Sequence, residues 1–464
     1  MPLLKINLGT LVVEAYAVAA LLFEINIPGT SFLQETPLAK LFVAFLPLIL
    51  TIIAKHIEGW NLVVLPTLFC SVAIPLAAVT SGLLKIILGF IVSLAVFAHF
   101  KTLKTIRIKA LFKPTGSFSV GYKQYKGAKS EPIYSVFYPA TKTTDKHPIF
   151  LPDTDVARKN YELITGPRKF PPRWFYDMTS LFQSKIRLLA SIDAPMVSSE
   201  VLKEHTQSEK LIPVIFSHGL GGGRHNYSSL VSQLASKGYF VITMDHKEEV
   251  KEIILDIDKV APKYLQTRVQ EVRTVIDELS NFSGSIGKLF GSKLNLDMSR
   301  LTLMGHSYGG GTAYATASED ERIKNSIMVD PWLKPLEFDR LDKKLSCNVL
   351  LIQSGDWNEK YPAGQISVRN TKVMEAQRGN KTGAIYCKIP NSQHNHFSDD
   401  ILLSGDTIKL FKIIDDADVA EEMYKASIKV FEDYLSVVVR KNQESQSFKD
   451  LYEGDSRFPF MIYA

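Results

Sequence analysis

Three residues in the C-terminal half of the chain could together cleave an ester or amide bond: Ser307, Asp330 and His394. A serine hydroxyl is a weak nucleophile until an imidazole accepts its proton. A carboxylate on the other ring nitrogen fixes the tautomer of that imidazole and stabilises the imidazolium that forms. These residue types therefore predict nucleophilic catalysis, with Ser307 as nucleophile, His394 as base and then acid, and Asp330 as the orienting acid.

Ser307 lies at the centre of a Gly-x-Ser-x-Gly motif, directly after the apolar run Leu301–Met304. An apolar run before this motif and small residues after it are typical of a strand, a sharp turn and a helix, with the serine exposed on the turn. Gly305 and Gly309 carry no Cβ, so they permit unusual backbone angles and close packing of helix against strand. The motif predicts a nucleophile elbow formed by Gly305, Ser307 and Gly309.

A glycine-rich loop, His218–Gly223, follows another apolar run and could supply backbone donors. The negative oxygen of a tetrahedral intermediate needs such donors in place before the reaction. The spacing of the four glycines does not match Gly-x-Gly-x-x-Gly, which argues against a dinucleotide site. We predict that the backbone N–H groups of Leu220 and Tyr308 form the oxyanion hole.

Each of these residues also has a simpler interpretation. An aspartate at the end of a strand, such as Asp330, commonly caps the next helix. His396 is an alternative base two residues after His394, and the His-x-His pair could be part of a metal site. No metal is predicted, because no His-x-x-x-His and no cysteine or acidic residue occurs at ligand spacing. The other histidines near strand ends are interpreted as groups that shape loops: His218, His225, His246 and His306.

The elements that would position these residues alternate between strand and helix. Short apolar runs predict six buried parallel strands: Pro213–Ser217, Tyr239–Met244, Leu301–Met304, Ser326–Val329, Asn348–Ile352 and Ala384–Ile389. Phe118–Tyr125 and Ile133–Tyr138 predict an earlier antiparallel pair. Apolar residues at helical spacing predict helices from Pro262 to about Phe282 and from Ala417 to about Val438. The pattern predicts an α/β fold with a mainly parallel sheet and helices on both faces, in which functional residues collect at the carboxyl ends of the strands.

The first hundred residues have a different composition. Four apolar stretches, at about 8–23, 38–54, 62–80 and 83–100, approach the ~17 to 25 residues that span a bilayer. No small-x-small cleavage site ends the first stretch, and further apolar stretches follow it, which argues against a cleaved signal peptide. We predict a transmembrane region of about four helices over residues 1–100.

Basic residues indicate the orientation of this region. Lys and Arg residues are concentrated in residues 101–114, a predicted basic juxtamembrane linker, and Lys55 follows the second stretch on the same predicted face. The positive-inside rule then places the following domain in the cytosol or the mitochondrial matrix.

The chain has three cysteines and a net charge of +6 without a basic stripe, so we expect a reducing compartment and no nucleic-acid partner. The remaining boundaries are predicted as a hydrolase domain at 115–440 and a C-terminal tail at 441–464.

Four sequence blocks resemble the platelet-activating factor acetylhydrolase family of the plasma and intracellular type II kind, within the α/β-hydrolase superfamily. They are Phe216–Gly221 with the later Leu234–Tyr239, Met304–Gly310, Val329–Trp332, and His394 with Phe397 and Asp399. The chain order Ser, Asp, His is also that of an α/β-hydrolase. The resemblance implies Ser307, Asp330 and His394 as catalytic residues, and it favours His394 over His396. It further implies a calcium-independent enzyme, with no cofactor, that removes acyl groups from the second glycerol position of phospholipids.

The expected function is therefore a membrane-anchored serine esterase or phospholipase that acts on glycerophospholipids through an acyl-enzyme. The expected partners are the lipid substrate and the bilayer, with partner proteins of a membrane complex as a further expectation. One alternative is a structural or accessory subunit of such a complex that retains the hydrolase fold, since a fold does not guarantee a function. A second alternative is another lipid esterase or an acyltransferase, which would use the same catalytic residues.

Overall fold

A ten-stranded mixed sheet forms the centre of the computed structural model, which describes residues 111–125, 133–150, 186–281, 284–291, 294–356, 365–379, 383–403 and 416–463. The strands are β1 (Ser119–Tyr125), β2 (Ile133–Ala140), β3 (Ser191–Ile192), β4 (Ile212–Ser217), β5 (Tyr239–Asp245), β6 (Thr302–His306), β7 (Asn325–Val329), β8 (Asn348–Ser354), β9 (Ala384–Ile389) and β10 (Met461–Ile462). Their order across the sheet is β10-β9-β8-β7-β6-β4-β5-β2-β1-β3.

The six strands predicted to be parallel form the continuous parallel centre of this sheet, β5-β4-β6-β7-β8-β9. The predicted antiparallel pair is also present, because β1 pairs with β2, which in turn pairs antiparallel with β5. The prediction of an α/β fold built on a mainly parallel sheet is confirmed. Since the central strands are parallel, their carboxyl ends meet at one edge of the sheet.

Helices cover both faces of the sheet. They are α1 (Ser199–Thr206), α2 (Ser228–Ser236), α3 (Val250–Leu255), α4 (Ile257–Asn281), α5 (Gly284–Phe290), α6 (Tyr308–Glu319), α7 (Gln365–Ala376), α8 (Asp400–Leu403), α9 (Ala417–Tyr434) and α10 (Ser445–Asp450). Short 3₁₀ helices occur at Met298–Arg300, Phe338–Asp342 and His394–Phe397, and a π-helical segment, Leu435–Arg440, continues α9.

Alternate side chains of the strands pack into two separate apolar cores. In β4, Val214 and Phe216 join a core with α2 and α9, whereas Ile215 joins a core with α4 and α6 on the other face. The sequence of a strand that is buried on both faces is a continuous run of apolar residues, without the alternation of apolar and polar residues seen in a half-buried strand. This explains why the central strands could be recognised in the sequence.

The long helix α4 begins earlier than predicted. The sequence placed Pro262 at its first turn, whereas the helix begins at Ile257 and contains Pro262 within it. Pro262 is the sixth residue of this helix, beyond the first four N–H groups that have no intrahelical acceptor, so it removes one hydrogen bond from the helix. The predicted start at Pro262 was therefore wrong by about one and a half turns.

Residues just outside both ends of the predicted hydrolase domain, 115–440, pack against the sheet and helices. Leu111 is buried in the core beside α2, and the backbone N–H of Phe112 donates to Ser229 Oγ at 3.1 Å. At the other end, Met461–Ile462 adds strand β10 antiparallel to β9. Residues at the end of the predicted linker and in the predicted tail thus contribute to the core and to the sheet.

The four apolar stretches in residues 1–100, and the first part of the basic linker, lie outside the described residues. Within the ranges given above, no helix is both long enough and apolar enough to cross a bilayer. The transmembrane region remains a prediction from the sequence.

The aromatic cluster near the C-terminus gives a prediction for stability. Phe448 is fully buried, with ring centroids 5.4 Å from Tyr434 and 4.9 Å from Phe460. Phe448→Ala should lower the free energy of unfolding by roughly 3 to 5 kcal/mol, because it removes a buried ring and leaves a cavity. Urea unfolding followed by intrinsic fluorescence measures the change.

Leu451, three residues further on, is 57% exposed and provides the matched control. Leu451→Ala should change the free energy of unfolding by no more than about 0.5 kcal/mol. Equal effects of the two substitutions would show that the C-terminal cluster does not contribute to the stability of the fold.

Candidate active site

Ser307 lies on the sharp turn between β6 and α6. Its backbone has φ 58° and ψ −118°, and a positive φ is uncommon for a residue with a side chain. Two backbone hydrogen bonds hold the turn: the Ser307 N–H donates to Val329 O at 2.9 Å, and the Trp332 N–H donates to Ser307 O at 2.8 Å. The turn is thus fixed against the carboxyl end of the neighbouring strand β7.

The glycines on either side of this turn are required by close backbone contacts. A Cβ atom on Gly305 would overlap the carbonyl oxygen of Gly309, and a Cβ on Gly309 would overlap the carbonyl oxygen of Ser217 at the end of β4. Neither obstacle is a flexible side chain that could move away. The Gly-x-Ser-x-Gly spacing therefore reflects contact between backbones.

The structure brings Ser307, Asp330 and His394 into one hydrogen-bonded row. His394 Nδ1 lies 2.6 Å from Asp330 Oδ2, and His394 Nε2 lies 2.9 Å from Ser307 Oγ. An ionised carboxylate only accepts hydrogen bonds, so Nδ1 carries the proton and Nε2 is free to accept one from the serine hydroxyl. Three segments that are distant in the sequence thus place a hydroxyl, an imidazole and a carboxylate in order.

Asp330 is held rigidly at the end of β7. Its side chain is fully buried, and it accepts hydrogen bonds from the backbone N–H of Ser354 at 2.8 Å and from Ser354 Oγ at 2.6 Å. Ser354 ends the adjacent strand β8, and the sequence analysis did not identify it. Its only signal in the sequence is its position at the carboxyl end of a predicted strand.

Burial shifts the pKa values of both partners. Burial raises the pKa of Asp330 to about 6, although the hydrogen bonds from Ser354 oppose the shift. Burial also lowers the pKa of His394 well below 6.5. Near pH 7 Asp330 is therefore ionised and His394 is neutral, the state in which the imidazole can accept a proton.

His306 connects the turn to the segment that carries His394. Its Nδ1 lies 2.8 Å from the Tyr227 hydroxyl, and its Nε2 lies 3.0 Å from the backbone oxygen of His394. Nε2 must therefore carry the proton, and Nδ1 accepts the hydrogen bond from the tyrosine. Burial lowers the pKa of His306 to about 3, so the ring is neutral. Tyr227 was missed by the sequence analysis because its role depends on contacts between distant segments.

His306, Asp330 and His394 also form a cluster whose potential ligand atoms lie within 4.8 Å of one another. That spacing alone would suit a metal ion. The ring nitrogens of both histidines, however, are directed at hydrogen-bond partners: Tyr227, a backbone oxygen, Asp330 and Ser307. The geometry is explained by these hydrogen bonds and does not require an ion.

The glycine-rich loop lies directly beside Ser307. A Cβ built on Gly219 would lie 3.3 Å from the Cβ of Ser307, so the predicted donor Leu220 is next to the residue in contact with the serine. Tyr308 is the first residue of α6, where a backbone N–H has no acceptor within the helix. Leu220 is thus next in sequence to the residue that lies beside Ser307, and Tyr308 directly follows Ser307.

A second serine, histidine and carboxylate form a similar row deeper in the protein. Ser217 Oγ lies 2.7 Å from His246 Nε2, and His246 Nδ1 lies 2.7 Å from Glu271 Oε2. Ser217 is fully buried within strand β4 and the side chain of His246 has no exposed surface, whereas that of His394 is 15% exposed. Of the two rows, only the one containing Ser307 combines the strained turn with an accessible imidazole.

The remaining histidines take up internal positions. His396, the alternative base, accepts a hydrogen bond on Nδ1 from the backbone N–H of Gln393 at 3.2 Å. His225 lies 3.0 Å from the Tyr122 hydroxyl, and His218 contacts the backbone of the glycine-rich loop. These contacts agree with the interpretation that such histidines shape loops.

Comparisons with known proteins show the family to which the chain is similar. The sequence profile of the family described as platelet-activating factor acetylhydrolase, isoform II, matches residues 105–264 and 259–454. The platelet-activating factor acetylhydrolase of Cavia porcellus is 23% identical over 383 residues, which are 74% of this chain and 81% of that protein. The corresponding protein of Gallus gallus is 25% identical over 321 residues, which are 58% of this chain and 74% of that protein.

A solved structure supports the fold. A ferulic acid esterase from Streptomyces cinnamoneus aligns with a TM-score of 0.53 and 16% identity, covering 76% of this chain and 99% of that chain. At this level of identity the likeness concerns the fold alone. The sheet and its helices therefore share the fold of that solved structure.

Proposed function

Because this chain belongs to the platelet-activating factor acetylhydrolase, isoform II, family and is a serine hydrolase of esters, we propose that it hydrolyses the sn-2 acyl ester of glycerophospholipids. The observation that carries the proposal is the hydrogen-bonded row of Ser307, His394 and Asp330 at the edge of the sheet. The curated relatives from guinea pig and chicken are named as platelet-activating factor acetylhydrolases. Their names point to a glycerophospholipid ester with a short acyl group.

In the proposed mechanism, Ser307 Oγ attacks the acyl carbonyl carbon while His394 Nε2 takes its proton. The resulting imidazolium is stabilised by the ionised carboxylate of Asp330, which stays unprotonated. His394 then donates the proton to the departing lysophospholipid oxygen, which leaves an acyl-enzyme. Water repeats the sequence, with His394 again as base, and releases the fatty acid.

The negative oxygen of each tetrahedral intermediate is proposed to bind between the backbone N–H groups of Leu220 and Tyr308. Donors fixed in advance need no reorganisation at the moment of reaction, and losing one typically costs ~2.7 to 4 kcal/mol of transition-state stabilisation. The Tyr308 amide also begins helix α6, where the positive end of the helix dipole favours a negative charge.

The two serine rows give a matched test of the nucleophile. Ser307→Ala should lower kcat for hydrolysis of a short-chain sn-2 phospholipid by on the order of 10⁴-fold or more, because the nucleophile is removed. Ser217→Ala also removes a serine hydroxyl that is hydrogen-bonded to a histidine, but in the buried row with His246 and Glu271. This variant should remain active. Fluorophosphonate labelling of the full-length chain in detergent, with product analysis on short-chain and long-chain phospholipids, measures both effects.

Persistent labelling and turnover in Ser307→Ala would contradict the proposal. Turnover of simple esters without release of the sn-2 acyl group would favour another lipid esterase. Complete inactivity of the purified chain, together with a stable stoichiometric complex, would favour the accessory-subunit alternative.

The pKa shifts at the site give a prediction for the pH dependence. Hydrolysis requires neutral His394 and ionised Asp330, and both conditions fail as the pH falls. Since burial lowers the pKa of His394 below 6.5 and raises that of Asp330 to about 6, the acid limb of kcat/KM should have its midpoint below pH 6.5. A pH profile with an uncharged ester substrate measures it, and fluorescence at each pH excludes acid unfolding. A midpoint at or above pH 7 would contradict the proposed protonation states.

We also propose that residues 1–100 anchor the enzyme in a membrane, with the hydrolase domain on the cytosolic or matrix side. The support is the sequence pattern of four apolar stretches followed by the basic segment 101–114. An anchor would hold the catalytic domain at the surface where phospholipids are found.

Alkaline carbonate extraction tests the anchor. The full-length chain should remain in the membrane pellet, whereas a chain that begins at residue 101 should be released, because only the former retains the apolar stretches. Protease treatment of sealed vesicles, with antibodies against the C-terminus, tests the orientation. Release of the full-length chain by carbonate would exclude transmembrane anchoring.

A further inference from the structure

A buried cation lies behind the glycine-rich loop. Arg268, on helix α4, has no exposed surface. Its Nε and Nη2 atoms each donate to one oxygen of the Glu248 carboxylate, at 2.7 Å in both cases. This two-pronged geometry fixes the plane of the guanidinium as well as its position.

The same ion pair contacts the loop on both sides of Leu220. Arg268 Nη1 donates to the backbone oxygen of His218 at 2.7 Å, and Nη2 lies 3.5 Å from the backbone oxygen of Gly219. The backbone N–H of Gly221 donates to Glu248 Oε1 at 3.3 Å. The cation therefore binds the carbonyl groups before Leu220, and the carboxylate binds the amide after it.

The orientation of the Leu220 amide follows from these contacts. The Gly219 carbonyl and the Leu220 N–H belong to one trans peptide, in which C=O and N–H point in opposite directions. The Gly219 oxygen also lies 2.6 Å from His218 Nδ1, and His218 Nε2 accepts a hydrogen bond from the backbone N–H of His246 at 3.3 Å, which leaves the proton on Nδ1. The Gly222 N–H donates to the same oxygen at 3.1 Å. Because the carbonyl oxygen is held by Gly222, His218 and Arg268 together, the Leu220 N–H is directed away from them.

Arg268 also contacts the residue that carries the other candidate donor. Its guanidinium carbon lies 4.3 Å from the centroid of the Tyr308 ring. One side chain thus contacts both the loop that contains Leu220 and the residue that follows Ser307. A cation over an aromatic face is attracted by the ring, and the attraction is stronger in a site shielded from water.

The ion pair is charged near neutral pH. Burial alone would raise the pKa of Glu248, but the Arg268 guanidinium beside it holds the pKa below its ordinary value. A buried ion pair is weak support for stability, because well-packed apolar residues of the same volume often stabilise a fold equally well. The charges are better explained by the backbone groups that they bind.

We propose that Arg268 and Glu248 form a positioning pair that fixes the Leu220 amide, together with Tyr308, for binding of the oxyanion. This inference rests on the proposed function, since it concerns the same site. Neither side chain touches the substrate. Both act through the loop His218–Gly223.

The test uses a double substitution, Arg268→Gln with Glu248→Gln, since changing Arg268 alone would leave an unpaired buried carboxylate. For the full-length chain in detergent, kcat should fall by about 10- to 100-fold, less than the ~10²- to 10³-fold effect of deleting an oxyanion donor. KM should change by less than about threefold, because the loss concerns the transition state. Affinity for a trifluoromethyl ketone, which forms a tetrahedral oxyanion on the serine, should fall in proportion to kcat.

Two measurements separate positioning from a general loss of structure. Each rate is divided by the concentration of active sites, which is titrated with a fluorophosphonate. Misfolded molecules then do not lower the measured kcat. Arg322→Gln with Asp320→Asn neutralises another ion pair, with Nη2 and Oδ2 2.6 Å apart, at the opposite end of α6 from Tyr308. It should leave kcat and ketone affinity within about twofold of the unaltered protein.

The proposal is overturned if the double variant, folded and titrated, keeps kcat and ketone affinity within twofold. It is also overturned if kcat falls while ketone affinity does not. Should the double variant not unfold cooperatively, Arg268→Lys replaces it under the same criteria, because a lysine keeps the charge but cannot bind Glu248 and the His218 carbonyl in one plane. If the proposed function is wrong, the result is different: turnover persists in Ser307→Ala, whether or not Arg268 is also substituted.

Discussion

At the Ser307 turn, the backbones of β6, α6 and β4 are in contact with no side chain between them. The Gly309 Cα lies against the carbonyl oxygen of Ser217, and the Gly305 Cα lies against that of Gly309. This contact sets the distance between the serine and the loop that follows β4. Ser307 has a positive φ at this turn, and its hydrogen bonds to Val329 and Trp332 hold that conformation. The hydroxyl, the glycine-rich loop and the end of β7 are close together because of this one packing constraint.

Hydrogen-bond geometry alone does not distinguish the two rows of serine, histidine and carboxylate. The distances within the Ser217 row, 2.7 Å and 2.7 Å, are as short as those in the Ser307 row. The difference lies in the backbone. Ser217 belongs to a regular strand with both neighbours paired, so its hydroxyl is enclosed by the core, whereas the turn at Ser307 lifts the hydroxyl out of the sheet. The strained turn at Ser307 and the 15% exposure of the His394 side chain, against none for His246, distinguish the Ser307 row from the other.

The sequence predicted the parts of this site that depend on local patterns. The central strands are continuous apolar runs, and Ser307, Asp330 and His394 each follow a strand, so their meeting at one edge could be predicted. Ser354, Tyr227 and Arg268 could not, because each acts on a residue far away in the sequence and has no motif of its own. The start of α4 was wrong because a proline tolerated inside the first turns looks the same in the sequence as one at the start. The C-terminal strand β10, with two residues, was too short to give an alternating pattern.

The amino-terminal end of helix α2 links the two loops on either side of Ser307. Residues 224–227 connect the glycine-rich loop to this helix, whose first amides need acceptors. Asp399, five residues after His394, supplies one: its fully buried carboxylate accepts from the backbone N–H of Ser229 at 3.0 Å and from Ser228 Oγ at 2.6 Å. Burial raises the pKa of Asp399 to about 6, so placing a charge there opposes folding unless those donors compensate it. The histidine loop and the glycine-rich loop are therefore held by the same helix end, and a displacement of one relative to the other would leave a buried carboxylate without its partners.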